Sequence, residues 1–143
     1  MAEFSLLGFA AFTTALSAKI DHAKHHAMEE GAKILEKEAK RVLGTYDYGW
    51  PQLAQSTQEQ RVQLGYPANE PGLRSGEMRD SIEHNVDIDG KEAHVGSNDD
   101  KLVWFDQGTV KQPPRSVLMG AAVHKEAEVG KAIGHHVVKV IAP

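Results

Sequence analysis

The chain has 143 residues, of which 41% are apolar and 25% are charged, a composition that suits one domain with a modest core. Its formal net charge of −4 offers nucleic acid no overall basic surface, and it is compatible with DNA sliding past without sticking. Because the sequence contains no cysteine, disulfides, thiolate metal sites and cysteine nucleophiles are excluded.

A long amphipathic helix is predicted over residues 1–44, the first of three segments of a single domain. Residues 4–43 contain no proline, and apolar or small residues recur there at steps of mostly three and four. The apolar residues 6–18 lack the preceding positive charge of a signal peptide and are too few to span a membrane. Gly44 is the predicted stop. A helix of about 55–60 Å would either break near Gly31 or need a partner chain for part of its apolar face.

Residues 45–75 are predicted to form an extended loop, because the segment is rich in proline and glycine. A short helix over residues 57–64, capped by Ser56, is expected within it. Loops of this length in compact domains are usually functional or partly disordered. The aromatic residues Tyr46, Tyr48, Trp50 and Tyr66 suggest that this loop docks onto another surface.

Residues 76–143 are predicted to form an antiparallel sheet of three or more strands followed by a C-terminal helix. Apolar and polar residues alternate from Ile82 to Ile88, Asp89-Gly90 predicts a tight hairpin turn, and residues 91–95 return as a second strand. The apolar residues 102–105 predict a third strand. From residue 116 to 141 the apolar period is helical, with Ser116 as cap. The predicted fold class is α+β, with the C-terminal helix packed on the sheet.

Four short motifs follow one another in the second half of the chain. They read GEMRDSI from residue 76, AHVGS from residue 93, VWFDQGT from residue 103 and PPRSVL from residue 113. The glycines at 76, 96 and 108 fall at predicted strand ends, where a positive φ is often needed. Trp104 and Phe105 are predicted to face opposite sides of a strand, one filling the core and the other available to a neighbouring subunit.

In this order and at these spacings, the motifs resemble those of the phage tail-completion family, which are minor tail or head–tail joining proteins of long-tailed bacteriophages. The family patterns are TGxLRxSI, a Val-Gly-Ser after a hairpin, E(F/Y)GT ending an aromatic strand, and PRPFLxPA opening the last helix. The match covers about the C-terminal half of the chain. The sequence departs from the family at Ser75, where threonine is common, at the inserted Gln107, and at Ser116-Val117, which replace Pro-Phe.

The resemblance implies a non-enzymatic structural virion protein that forms a ring at the phage neck, completes the tail and joins it to the head. The implied partners are further copies in a homo-oligomeric, hexameric ring, the tail terminator and tail tube, and head-completion proteins, with phage DNA passing through non-specifically. No membrane, metal or cofactor is implied, and the protein would be assembled in the bacterial host cytoplasm and located in the virion. The residues that carry the resemblance, at interface or structural positions, are Gly76, Met78, Arg79, Ser81, Ile82, Val95, Gly96, Trp104, Phe105, Asp106, Gly108, Thr109, Pro114 and Arg115.

Two of these residues, Arg79 and Arg115, are expected either to pair with acids across a subunit contact or to be solvated surface arginines. Charge reversal at Arg115 is then expected to weaken assembly and leave the monomer folded. A tail terminator or head-closure ring protein is the alternative within the virion, since such small neck proteins share this size and helix–sheet make-up.

Two further alternatives are a small cellular binding module and a histidine-based metal-binding protein. A stable monomer or dimer would favour the binding module. His22 and His26 are one turn apart on the first helix, a spacing that can bind zinc, although histidines on a helix surface are commoner. The sequence holds no Gly-x-Ser-x-Gly elbow, phosphate loop or Gly-x-Gly-x-x-Gly motif, so no catalytic residue is predicted.

Overall fold

A computed structural model describes residues 6–141 of the chain, and side chains within residues 14–140. In chain order the elements are α1 (Leu6–Val42), α2 (Gln55–Gln63), α3 (Glu77–Asp80), β1 (Ile82–Val86), β2 (Ala93–Ser97), α4 (Asp100–Gln107) and α5 (Leu118–Ile141). The predicted α+β class with a long first helix and a long last helix is confirmed. Residues 1–5 of the predicted first helix lie outside the described residues.

Helix α1 runs without a break past Gly31 and packs antiparallel against α5. A Cβ atom at Gly31 would lie 3.2 Å from Cγ1 of Val129, so the glycine permits a close approach of the two helices. Further along α1, Glu38 lies 4.0 Å from Lys125 of α5. Gly44 ends the helix with φ at +89°, as its position predicts.

The N-terminal part of α1 extends beyond the end of α5. Because Gly31 meets Val129 in an antiparallel pair, Ile141 is level with about residue 20 of α1. The side chains of residues 14–22 are exposed, apart from the half-buried Leu16. On α5, Val137 is 37% exposed and Val138 is 59% exposed. We call residues 14–22 of α1 and 134–140 of α5 the open end of the molecule.

The sheet has two strands among the described residues, so the prediction of three or more strands is wrong. Ile82 pairs with Ser97 and Val86 with Ala93 in one antiparallel hairpin. The predicted alternation holds within β1, where Ile82 is buried and its neighbour Glu83 is exposed. It does not extend to Ile88, which is fully exposed in the turn beyond the strand.

The predicted third strand, residues 102–105, is part of helix α4. Asp99 caps this helix by accepting a hydrogen bond from the backbone nitrogen of Lys101 at 3.0 Å. Leu102 and Phe105 are three residues apart and both buried, which is the spacing of one helix face. A run of four apolar residues is too short to distinguish the period of a strand from that of a helix. The cap at Asp99 favours the helix.

Helix α5 packs chiefly along α1, which corrects the prediction that it packs on the sheet. The hairpin also packs on α1, and it has no comparably extensive contact with α5. A groove of about 330 Å³ remains between β2 and α5, lined on its third side by α1. Helix α5 and the hairpin therefore both pack on helix α1.

The core lies at the opposite end from the open end. Its buried members are Ala39, Val42, Leu43, Trp50, Ile82, Leu102, Phe105, Val117 and Ala121, and we call this cluster the packed end. The predicted loop of residues 45–75 contributes Trp50 to it, and Tyr46 and Tyr48 pack against it. These aromatic residues thus dock onto the body of the same chain. The predicted short helix of this loop begins earlier than expected, at Gln55, with Ala54 rather than Ser56 as its cap residue.

Candidate functional site

An open cleft of about 600 Å³ lies where the loop of residues 45–75 meets α3, α4 and the segment before α5. Its lining includes residues from three of the four sequence motifs, namely Gly76, Met78, Trp104, Phe105 and Arg115. These residues are brought together because α3 and α4 both adjoin the packed end. The cleft is within the size range of ligand pockets.

The lining of this cleft is basic, although the chain as a whole is acidic. Among the described residues, the cations of its lining are Arg61, Arg74, Lys101, Lys111 and Arg115, and its one acid is Glu77. That glutamate lies 3.4 Å from the ammonium group of Lys101. We call this basic lining the cationic cleft. Apart from Arg115, its cations carry no motif, so sequence reasoning did not find them.

Arg115 is buried in the wall of the cleft, which corrects the expectation of a surface arginine. It is 3% exposed, and its Nε and Nη2 donate to the backbone oxygens of Pro51 at 2.9 Å and Gln52 at 3.1 Å. Its guanidinium also lies over the ring of Phe105, 5.5 Å from the centroid. Burial lowers the pKa of Arg115. Arg115 therefore fastens the start of α5 to the loop of residues 45–75.

Trp104 and Phe105 have opposite environments, as expected, although on a helix rather than a strand. Phe105 is 7% exposed and meets Trp50 edge to face at 5.3 Å between centroids. Trp104 is 53% exposed and lines the cleft. An exposed tryptophan beside several cations offers a large apolar surface with a polar N–H to a ligand or a partner.

Asp106 caps helix α5. One oxygen of its carboxylate, Oδ2, accepts hydrogen bonds from the backbone nitrogens of Val117 at 2.9 Å and Leu118 at 3.1 Å. A carboxylate at this position satisfies the first N–H groups of the helix and interacts favourably with its dipole. Asp106 thus has a structural role. The expected cap, Ser116, accepts a bond from Gly120 N at 3.1 Å.

The other motif residues lie at structural positions around the hairpin and the loop before α5. Gly76 and Gly108 have positive φ values of 92° and 77°, as predicted, whereas Gly96 lies within β2 and does not. Ser81 and Ser97 join their hydroxyls at 2.6 Å across the hairpin. The remaining members are the buried Ile82, the half-buried Val95, the exposed Thr109 and Pro114, and Arg79, whose Nε lies 3.0 Å from Oδ1 of Asp80.

A histidine between two glutamates joins the hairpin to α1. The ring nitrogens of His84 lie 2.8 Å from Glu29 Oε1 and 2.5 Å from Glu36 Oε2. The hydrogen bond to Glu29 is the main reason that the pKa of His84 is raised, and the bond to Glu36 adds to it. The hydrogen bond from His84 also lowers the pKa of Glu29. Burial acts to raise the pKa of Glu36, but the hydrogen bonds from His84 and Lys40 outweigh burial, so this pKa is lowered as well.

The histidines proposed for metal binding do not gather a third ligand. Nε2 of His22 lies 3.1 Å from Nε2 of His26, but no further histidine or acid joins them within the described residues. There, the one group of three candidate ligand atoms within 4.8 Å is formed by Asp87, Glu92 and His94 at the hairpin. All three side chains are exposed, and exposed acidic groups commonly occur without a bound metal.

No family model matches the chain, and no curated protein or solved structure shows significant similarity to it. None of the helices within residues 6–141 combines the length and apolar character needed to cross a membrane.

Proposed function

We propose that the chain is a structural virion protein that forms a ring at the phage neck, where it completes the tail and joins it to the head. The ordered resemblance of its four motifs to the phage tail-completion family is the origin of this proposal. The observation that carries it is spatial. Gly76, Trp104 and Arg115 come from three separate motifs and line one cleft. Motifs scattered by chance would have no reason to converge on one surface.

The exposed apolar side chains of the open end support self-association. Ile20 and Val137 are each 37% exposed, and Val138 is 59% exposed. A ring requires two different contact surfaces on each subunit, because every copy contacts one neighbour on each side. The open end and the cationic cleft lie at different ends of α1, so the chain offers more than one surface for contact with a neighbour.

The protein would act in particle assembly and in the passage of DNA, and it would not catalyse a reaction. In a ring, the net charge of −4 would disfavour tight binding of the passing DNA. The partners would be further copies of the chain in a hexameric ring, with the tail terminator, the tail tube and the head-completion proteins stacked on that ring along the tail axis.

Quantitative mass spectrometry of purified phage-like particles from the source cells tests this proposal. The copy number of this chain would be compared with that of the major tail protein. We expect a constant low number, near one ring per particle. Absence of the chain from the particles would contradict the virion role and make a cellular binding module the better explanation.

A further inference from the structure

The cationic cleft contains a buried charge that nothing in the described part of the chain neutralises. Two charged side chains are buried among the described residues, Glu38 on α1 at 5% exposure and Arg115 in the wall of the cleft at 3%. Glu38 accepts hydrogen bonds from Arg41 at 2.7 and 2.9 Å and from Tyr48 at 2.9 Å. Within the part of the chain that the structure describes, the partners of Arg115 are two backbone carbonyls and the ring of Phe105. Because buried charges are normally paired, the cleft lacks an anion.

A second arginine of the cleft has the same kind of environment. Arg61 is half-buried, and its Nη1 donates to the backbone oxygens of Glu70 at 2.6 Å and Leu73 at 3.4 Å, and among the described residues it forms no ion pair. The exposed lysines Lys101 and Lys111 add positive charge at the rim. The ligand of this cleft should therefore be anionic, and the exposed ring of Trp104 favours an apolar group beside the negative charge.

The tip of the hairpin, residues 87–92, has this chemistry. Asp87, Asp89 and Glu92 supply three carboxylates, against one cation, Lys91. Between the two aspartates stands Ile88, which is fully exposed. A fully exposed isoleucine flanked by acids is complementary to a tryptophan flanked by cations.

The hairpin tip cannot reach the cleft of its own chain. A Cβ atom on Gly90 would lie 3.0 Å from the backbone nitrogen of His25, so the tip rests on the middle of α1. A Cβ atom on Gly72, in the wall of the cleft, would lie 2.6 Å from Cδ2 of Leu43, the residue that follows α1. His25 and Leu43 are about 27 Å apart at roughly 1.5 Å per residue.

We propose that the cationic cleft of one copy receives the hairpin tip of a second copy, with Ile88 against Trp104 and the tip carboxylates facing the arginines and lysines. This inference rests on the ring assembly proposed above and identifies one of its contacts. Because the tip and the cleft are different surfaces, the contact is head to tail. A repeated head-to-tail contact is the kind that builds rings, which close when the rotation from copy to copy completes a full turn.

The test uses two full-length variants, one altered at the hairpin tip and the other altered in the cationic cleft. The tip variant combines Ile88→Ser with Glu92→Lys, and the cleft variant combines Trp104→Ser with Lys111→Glu. All four positions are exposed, so both variants should fold, which far-UV circular dichroism checks. Sedimentation equilibrium would give the mass of each variant, of the wild type and of an equal mixture of the two variants.

We expect the wild type to form higher oligomers and each variant to raise the dissociation constant by about tenfold or more. The equal mixture should form one-to-one dimers and nothing larger, because it retains one intact tip and one intact cleft per pair. Matched controls are Glu83→Lys on the outer face of the hairpin and Val103→Ser, the exposed neighbour of Trp104. Both controls should assemble like the wild type.

Three results would overturn this inference. One is a tip variant that assembles like the wild type, and another is a wild type that stays monomeric up to about 1 mM. The third is single-stranded DNA that binds the wild type and is lost in the cleft variant while assembly is unchanged, which would assign the cleft to nucleic acid. The particle mass spectrometry is independent of all three, so the virion proposal can stand or fall separately.

Discussion

The two ends of the molecule bury their apolar side chains to different extents. At the packed end, Ile82 and Val117 are fully buried, and a tryptophan and a phenylalanine meet edge to face. At the open end, the same pair of long helices leaves Ile20 and Val138 accessible to solvent. The difference arises because the loop of residues 45–75, the hairpin and α4 all cover one end. Stability should therefore depend on the packed end, and association on the surfaces left open.

Truncating Phe105 should have the largest effect on stability. Phe105→Ala removes a buried ring between Trp50 and Arg115, and we expect it to lower the free energy of unfolding by about 3–5 kcal/mol. Urea denaturation followed by far-UV circular dichroism would measure this. Val138→Ala at the open end is the matched control and should change stability by less than about 0.5 kcal/mol. Equal losses at both positions would contradict the contrast between the two ends.

Charge reversal at Arg115 should come next. Arg115→Glu removes two donors and leaves the carbonyls of Pro51 and Gln52 facing a buried carboxylate. We expect a loss of roughly 3 kcal/mol or more, measured by urea denaturation of the monomer. Lys111→Glu, an equal change of charge on the exposed rim, serves as control and should leave the monomer nearly as stable. A folded, fully stable Arg115→Glu monomer would restore the surface role expected from the sequence.

Removing the cap of α5 should have a moderate effect. Asp106→Ala leaves the backbone nitrogens of Val117 and Leu118 without their carboxylate, and we expect a loss of about 1 kcal/mol in the free energy of unfolding. Asp106→Asn keeps an acceptor oxygen and should recover most of the loss. If both variants were as stable as the wild type, the cap would not hold the start of α5.

The contact between His84 and α1, at the boundary of the two ends, should give the smallest effect and a pH dependence. The pKa of His84 is raised above 6.5 in the folded state, so its contribution is complete below pH 6.5 and is lost as the pH rises through the raised pKa. The pKa values of Glu29 and Glu36 are lowered from 4.5. Their contribution is present above pH 4.5 and is lost as the pH falls through the lowered values.

Thermal unfolding from pH 4 to pH 9 would measure this dependence. The difference in melting temperature between the wild type and His84→Gln should be largest at about pH 5–6 and shrink on either side. His135→Gln, at an exposed position of α5, is the control and should follow the wild type across the range. A difference that is constant with pH would mean that the charge of His84 does not matter.

The sequence predicted the long elements well because their periods extend over many turns. Helix α1 keeps its apolar face through Gly31, and that glycine proved to be a point of close helix contact rather than a break. The run containing Leu102 and Phe105 is too short to show a helical period, so its apolar character predicts a strand although the segment is helical. Its helical nature depended on a cap at Asp99, which a strand assignment passes over.

The cleft could not be predicted in the same way. The burial of Arg115 depends on carbonyls that are more than 60 positions away in the chain. These partners are backbone oxygens, which every residue has, so the residue types do not reveal them. Arg61 and Lys111 likewise look like ordinary surface cations until the loop of residues 45–75 is placed beside α4.

The attachment of α5 through Asp106 has a consequence for how this protein can vary among relatives. Because Asp106 binds the start of α5 and Phe105 accepts a hydrogen bond from Arg115 N at 3.0 Å, both ends of the segment 107–114 are anchored. The cost of lengthening a closed loop rises only slowly with its length. Insertions at the exposed positions of this segment should therefore leave the helix in place, so the rim of the cleft can change while the scaffold beneath it stays the same.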